Sequence, residues 1–158
     1  MKGENNANAK VLFRTLEEIK KLVAAFESCT LPREQWNHRA HLTVALWYLS
    51  RHSQATATNL IRRNILRHLD AHGIVTTKDS GYHETITLFF MHVVSEHLSE
   101  ATVRESLVML TNKLIETCKD KNLPLEYYSK ERLMSWEART RWVKPDLKPL
   151  AQRLDSPL

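Results

Sequence analysis

Ala40-His41-Leu42-Thr43-Val44-Ala45-Leu46-Trp47-Tyr48-Leu49 decides the fold. The run is apolar almost all the way round a helical wheel. A helix of that kind is covered on most sides, so it belongs at the centre of a bundle. The chain has only three glycines and five prolines. Sheet proteins of this size usually need more turn glycines, so composition also favours helices.

The flanking segments carry the helical period. Thr15-Leu16-Glu17-Glu18 reads as a capping box, and Leu16, Ile19, Leu22, Val23 and Phe26 recur at helical spacing behind it. A first helix is expected over 15–28, broken by Leu31-Pro32. The central helix should span 35–51. Ser53 caps a third over 54–71, with Leu60, Ile61, Ile65, Leu66 and Leu69 inward, Arg62, Arg63 and Arg67 outward, and Gly73 closing it. A fourth helix is expected over 82–98. A fifth, capped by Thr102 and Glu105, runs to Cys118. Pro124 opens a helix to 134, and Ser135 caps a last one from Trp136 to Val143. The expected fold is all-α, a single-domain bundle of five or six helices over 11–145. A flexible tail precedes it at 1–10, and an extension follows at 146–158.

Cys29 and Cys118 form no CxxC pair and read as reduced thiols. The polar, Asn-rich start lacks the apolar stretch of a signal peptide, and no segment reaches the roughly 18 apolar residues of a membrane span. A cytoplasmic protein with no membrane partner is expected. The formal charge is +5, with acids and bases interleaved along the chain. That suits a small anionic ligand at least as well as a polymer, and nucleic-acid binders usually concentrate their charge on one face.

Two polar knots stand out, Trp36-Asn37-His38-Arg39-Ala40-His41-Leu42 and Gly81-Tyr82-His83-Glu84-Thr85. His38 and His41 share a helix face, with Cβ atoms about 5–6 Å apart. If the second and fourth helices meet at their starts, His38, His41 and His83 converge. Three imidazoles with an oxygen donor suit a divalent transition metal, zinc or iron. Glu84 would then be a fourth ligand or the general base. Without a metal, a histidine pair serves as acid and base, and Arg39 supplies charge to an anionic substrate. Trp36 and Tyr82 wall the pocket in either case. One alternative is a non-catalytic module that binds a small ligand or partner, and another is that these are capping and core histidines satisfied by backbone carbonyls.

The remaining histidines read as structural. His52, His68 and His72 lie near helix ends, His92 faces solvent, and His97 is a satisfied core residue. The 127–144 segment mixes bases with aromatics. It reads first as a solvated amphipathic helix, then as a place where Arg139 or Arg141 holds an anion, and last as a nucleic-acid surface. There is no Gly-rich phosphate loop and no GxSxG motif.

His38-Arg39-Ala40-His41-Leu42, Gly81-Tyr82-His83-Glu84-Thr85, Tyr128-Ser129-Lys130-Glu131-Arg132-Leu133 and Val143-Lys144-Pro145-Asp146-Leu147 together resemble a family of small uncharacterised bacterial helical proteins. The resemblance covers roughly residues 33 to 150. It implies a bacterial cytosolic setting and carries no activity. In outline the chain is also similar to small helical-bundle metalloproteins that gather three histidines from separate helices.

Overall fold

A computed structural model describes residues 12–150, and every regular element among them is helical. The expected N-terminal tail lies outside the described residues, as does 151–158 of the extension. Seven α-helices follow in order: α1 (Leu16–Glu27), α2 (His38–Leu49), α3 (Gln54–Ala71), α4 (Glu84–Ser99), α5 (Leu107–Thr117), α6 (Lys130–Leu133) and α7 (Trp136–Thr140). Single 3₁₀ turns at Arg33–Gln35 and Leu123–Glu126 precede α2 and α6. Five helices are long and two are single turns, so the all-α bundle read from the sequence is what forms.

α2 is the hub. It packs against α1, α3, α4 and α5, which is why its sequence needs no wet face. Leu42, Val44 and Leu46 join Phe26, Ile61, Met91 and Leu114 in the main core. α4 is shared between two cores. Met91 and Val94 enter the main one, while Phe89 enters a second with Tyr128, Leu133, Ala138, Val143 and Leu150. The second core attaches α6, α7 and the chain after them to the bundle.

Caps set most boundaries. Thr15 and Glu18 close the expected capping box on α1. The Asn37 side chain accepts from Ala40 N–H at 3.0 Å and delays the start of α2 to His38. Ser53 caps α3 as expected. Glu105 accepts from Thr102 N–H at 3.0 Å, but this bond closes only a turn. Ser106 is the residue that caps α5. The helix expected after Pro124 splits in two. Ser129 is held extended because its N–H and hydroxyl both donate to the Asp146 carboxylate, at 2.7 and 2.6 Å, and it then caps α6. Residues 146–150 are therefore pinned. Leu147 N–H donates to the Tyr127 carbonyl at 2.9 Å, and Leu150 is 7 % exposed in the second core.

α1 and α3 end in the same Schellman geometry. In α3, Gly73 takes the left-handed position at φ 67° and Ile74 N–H reaches back to the Leu69 carbonyl. In α1 that position is Cys29, at φ 61°, and Thr30 N–H reaches back to Ala25. A β-carbon makes this conformation costly, whereas glycine adopts it freely but loses more entropy on folding. The first effect is the larger. Cys29→Gly is expected to stabilise the protein by roughly 0.5–1 kcal/mol in urea unfolding. A destabilised variant would mean that the Cys29 side chain contributes packing worth more than the backbone strain.

Candidate ligand cavity

α2, α3 and α4 enclose a cavity of about 450 Å³, closed on another side by the 74–82 segment and α7. Its surface is mostly apolar, from Ala45, Ile61, Ile65, Ile86, Phe90 and Met91. Trp36, His41, His68, Tyr82, His83 and Arg139 add polar or aromatic groups, and the exposed side chains of Arg33, Asp79 and Ser80 mark the rim.

The 74–82 segment is positioned by its own chemistry. Gly81 sits at φ 91°, and a Cβ there would lie 2.6 Å from Thr76 Cα. Only glycine lets the two strands of the loop touch. Tyr82 N–H donates to Thr76 Oγ1 at 3.1 Å. From α7, Arg139 donates through Nε to the Lys78 carbonyl at 3.2 Å and through Nη1 to those of Gly81 and Tyr82, at 3.4 and 3.1 Å.

Of the three histidines expected to converge, His41 and His83 line the cavity and His38 does not. His83 is the N-cap of α4. Its Nδ1 accepts from Ile86 N–H at 3.1 Å, so its proton is on Nε2, which donates to the Leu133 carbonyl at 2.7 Å. Both nitrogens are used, and no lone pair is left for a metal. His38 donates through Nε2 to the Cys118 carbonyl at 2.7 Å, sits edge-on to Phe90, and does not line the cavity. His41 does line it, half-buried, with no hydrogen bond to its ring among the described residues. In that set of residues no group of three or more His, Cys, Asp or Glu side chains could hold a metal ion.

The other expected site residues divide in the same way. Trp36 lines the cavity, stacked between Phe26 at 4.1 Å and His41 at 3.9 Å. Tyr82 lines it too, with its hydroxyl donating to Glu84. Glu84 is buried and does not line the cavity. Arg62 Nε lies 3.0 and 3.2 Å from its two oxygens and Arg62 Nη2 pairs with it as well. With both oxygens engaged, Glu84 anchors α3 to α4 and is not placed as a base for the cavity. Arg62, expected on the wet side, is accordingly half-buried. Arg39 points elsewhere, with its guanidinium 4.6 Å from the Phe13 ring centroid.

His68 is the residue that the sequence reading missed. It is 1 % exposed, lines the cavity, and neither ring nitrogen has a hydrogen-bond partner. Its ring stands edge-on to His72 at 4.5 Å and tilts towards Trp36 at 5.6 Å. His72 itself is satisfied, donating to the Leu31 carbonyl at 2.9 Å. The available signal was phase. His68 follows Ile61 and Ile65 at helical spacing, on the stripe with Ala57 and Asn64, whereas the expected inward Leu66 is 45 % exposed. His92 was also misread. It is buried with Nδ1 unpartnered because α4 is covered on both sides and has little face for solvent.

Burial removes water from these rings and disfavours their charged form. It pushes His41 down to about 3, with smaller contributions from His38 and His68. It pushes His92 down to about 4, and it lowers His68 and His83. Burial, then Glu84, raises the Tyr82 hydroxyl. The cavity is therefore lined by neutral imidazoles near pH 7.

No family model, curated protein or solved structure matches the chain. No helix among the described residues is long and apolar enough to cross a membrane.

The depressed histidines fix the sign of a pH dependence. An unfolded histidine titrates near about 6.5. Below that the unfolded chain binds more protons than the folded one, so stability is full above about pH 6.5 and falls with acid. Urea midpoints are expected to drop between about pH 6.5 and 5, above the range where carboxylates titrate. His92→Leu should flatten that slope. Midpoints constant across the interval would show that these rings are not held neutral by the fold.

Proposed function

We propose that this chain is a small-molecule-binding protein whose ligand occupies the cavity between α2, α3 and α4. The carrying observation is His68, a wholly buried imidazole in the cavity wall with neither nitrogen paired. A buried polar group without a partner costs about 1–3 kcal/mol. Folded proteins rarely retain that cost where a leucine would fit, unless the group serves a ligand. The cavity's volume lies in the range of small-ligand pockets, and its apolar surface with a few polar groups is their usual composition.

Binding is favoured over catalysis. A general base works best with a pKa near the operating pH. Two cavity imidazoles have no hydrogen bond to their rings among the described residues; burial holds His41 near 3, too low for efficient proton abstraction, and lowers His68 as well. The two cysteines are elsewhere, with Cys118 buried at the end of α5. A bacterial cytosolic setting is part of the same proposal and rests on the motif resemblance alone.

The reading is tested by nuclear magnetic resonance with a small-fragment set. Binders are expected to shift the signals of Ile61, Ile65, His68 and Phe90 together. Fragments that bind only elsewhere would sink it. His68→Leu gives a second test, since it should raise stability by on the order of 1–2 kcal/mol by removing an unpaired buried group. The same variant should weaken every fragment that shifts the His68 signals. A loss of stability would mean that the ring is satisfied within the fold.

A further inference from the structure

We propose that the cavity's ligand is a monocarboxylate with an apolar body, its carboxylate held at the Arg139 end. The inference rests on the reading of the cavity as a ligand site.

Charge is the first argument. Arg33, Arg139 and Asp79 are the charged residues lining the cavity. Glu84 lies outside the lining and is paired with Arg62. His83 is neutral by its hydrogen bonds, since one nitrogen accepts and the other donates. The lining therefore carries one excess positive charge, which matches a monoanion.

The state of Arg139 is the second argument. It is 6 % exposed, and no carboxylate pairs with it among the described residues. Backbone carbonyls take Nε and Nη1, while Nη2 has no hydrogen bond there. Carbonyl dipoles partly offset the loss of water around a guanidinium, but they carry no countercharge. A carboxylate entering the cavity supplies one, and it accepts from a guanidinium edge with good geometry.

The walls give the third argument. The apolar part of the lining includes Ile61, Ile65, Ile86, Phe90 and Met91, which suits an aliphatic or aryl body. His68 is the independent mark that this wall meets an occupant. A dianion fits poorly, because it would leave one negative charge unmatched beside apolar side chains and Asp79.

Calorimetric titration of the full chain with octanoate, octanamide and octyl phosphate tests the assignment. Octanoate is expected to bind at one site on the order of tenfold or more tighter than octanamide, because hydrogen bonds to charged groups are the stronger ones. It should shift the Ile65 and His68 signals. Arg139→Gln should erase the preference for the acid, with circular dichroism confirming the fold. If that variant does not fold, the comparison of acid with amide on the natural chain still decides. Octanamide binding as tightly as octanoate overturns the carboxylate and leaves the cavity reading standing. Octyl phosphate binding tighter than octanoate overturns the monoanion. If fragments enter and none of the three probes does, the proposal fails alone. If nothing enters, both readings fail.

Discussion

The start of α4 is held by a single imidazole that bonds in two directions. His83 receives the Ile86 amide on one nitrogen and gives its proton to the Leu133 carbonyl with the other. The first bond satisfies a free donor at a helix start. The second joins that start to the end of α6, fifty residues on. Thr85 extends the junction. Its hydroxyl donates to the Arg141 carbonyl at 2.8 Å and accepts from Val143 N–H at 3.2 Å. With α6 and α7 fixed there, Arg139 reaches the carbonyls of the 74–82 segment, and the cavity gains its last wall. A protonated His83 could not accept from Ile86, so burial and capping both favour the same neutral form.

Around this junction most buried polar groups are satisfied, and among the described residues the exceptions are two imidazoles, His68 and His92. His38, His72, His83 and His97 each place a ring nitrogen on a backbone carbonyl. Tyr48 donates to Glu27 and accepts from Asn64. Against that background His92 leaves one ring nitrogen unpaired away from the cavity, whereas His68 leaves both, and His68 lies on the cavity. An imidazole left wholly unpaired where a fold has left space is a usual sign that stability has been given up for binding.

Much of this was legible in the residues. The apolar run of α2, the Thr15 and Ser53 caps and the Gly73 terminus fixed the elements to within a few positions, because caps and periodicity are local. The site was less legible. A capping histidine and a metal-binding histidine look alike in a sequence, and His83 proved to be a cap. Spacing put His38 and His41 on one helix face, but α2 is surrounded. Rings three residues apart meet different neighbours there, α5 for one and the cavity for the other. Glu84 was read as reactive because its partner Arg62 is twenty-two residues away on another helix. The split between the Leu123–Glu126 turn and α6 depended on Asp146, which no local rule connects to Ser129.

The cavity's enclosure is unequal on its sides. α2, α3 and α4 are knit into the main core, and α4 into a second core as well. The 74–82 segment is held mainly by Arg139, the Thr76 contacts and a short turn between Thr77 and Ser80. Opening that segment breaks a few polar bonds and lifts Tyr82 from the edge of the main core, whereas parting the helices exposes the core itself. The low-energy route to the interior therefore runs through the loop. Residence time inside would follow the strength of the Arg139 clasp and would be largely independent of the stability of the whole fold. Two chains of equal melting temperature that differ only in that clasp would release an occupant at different rates.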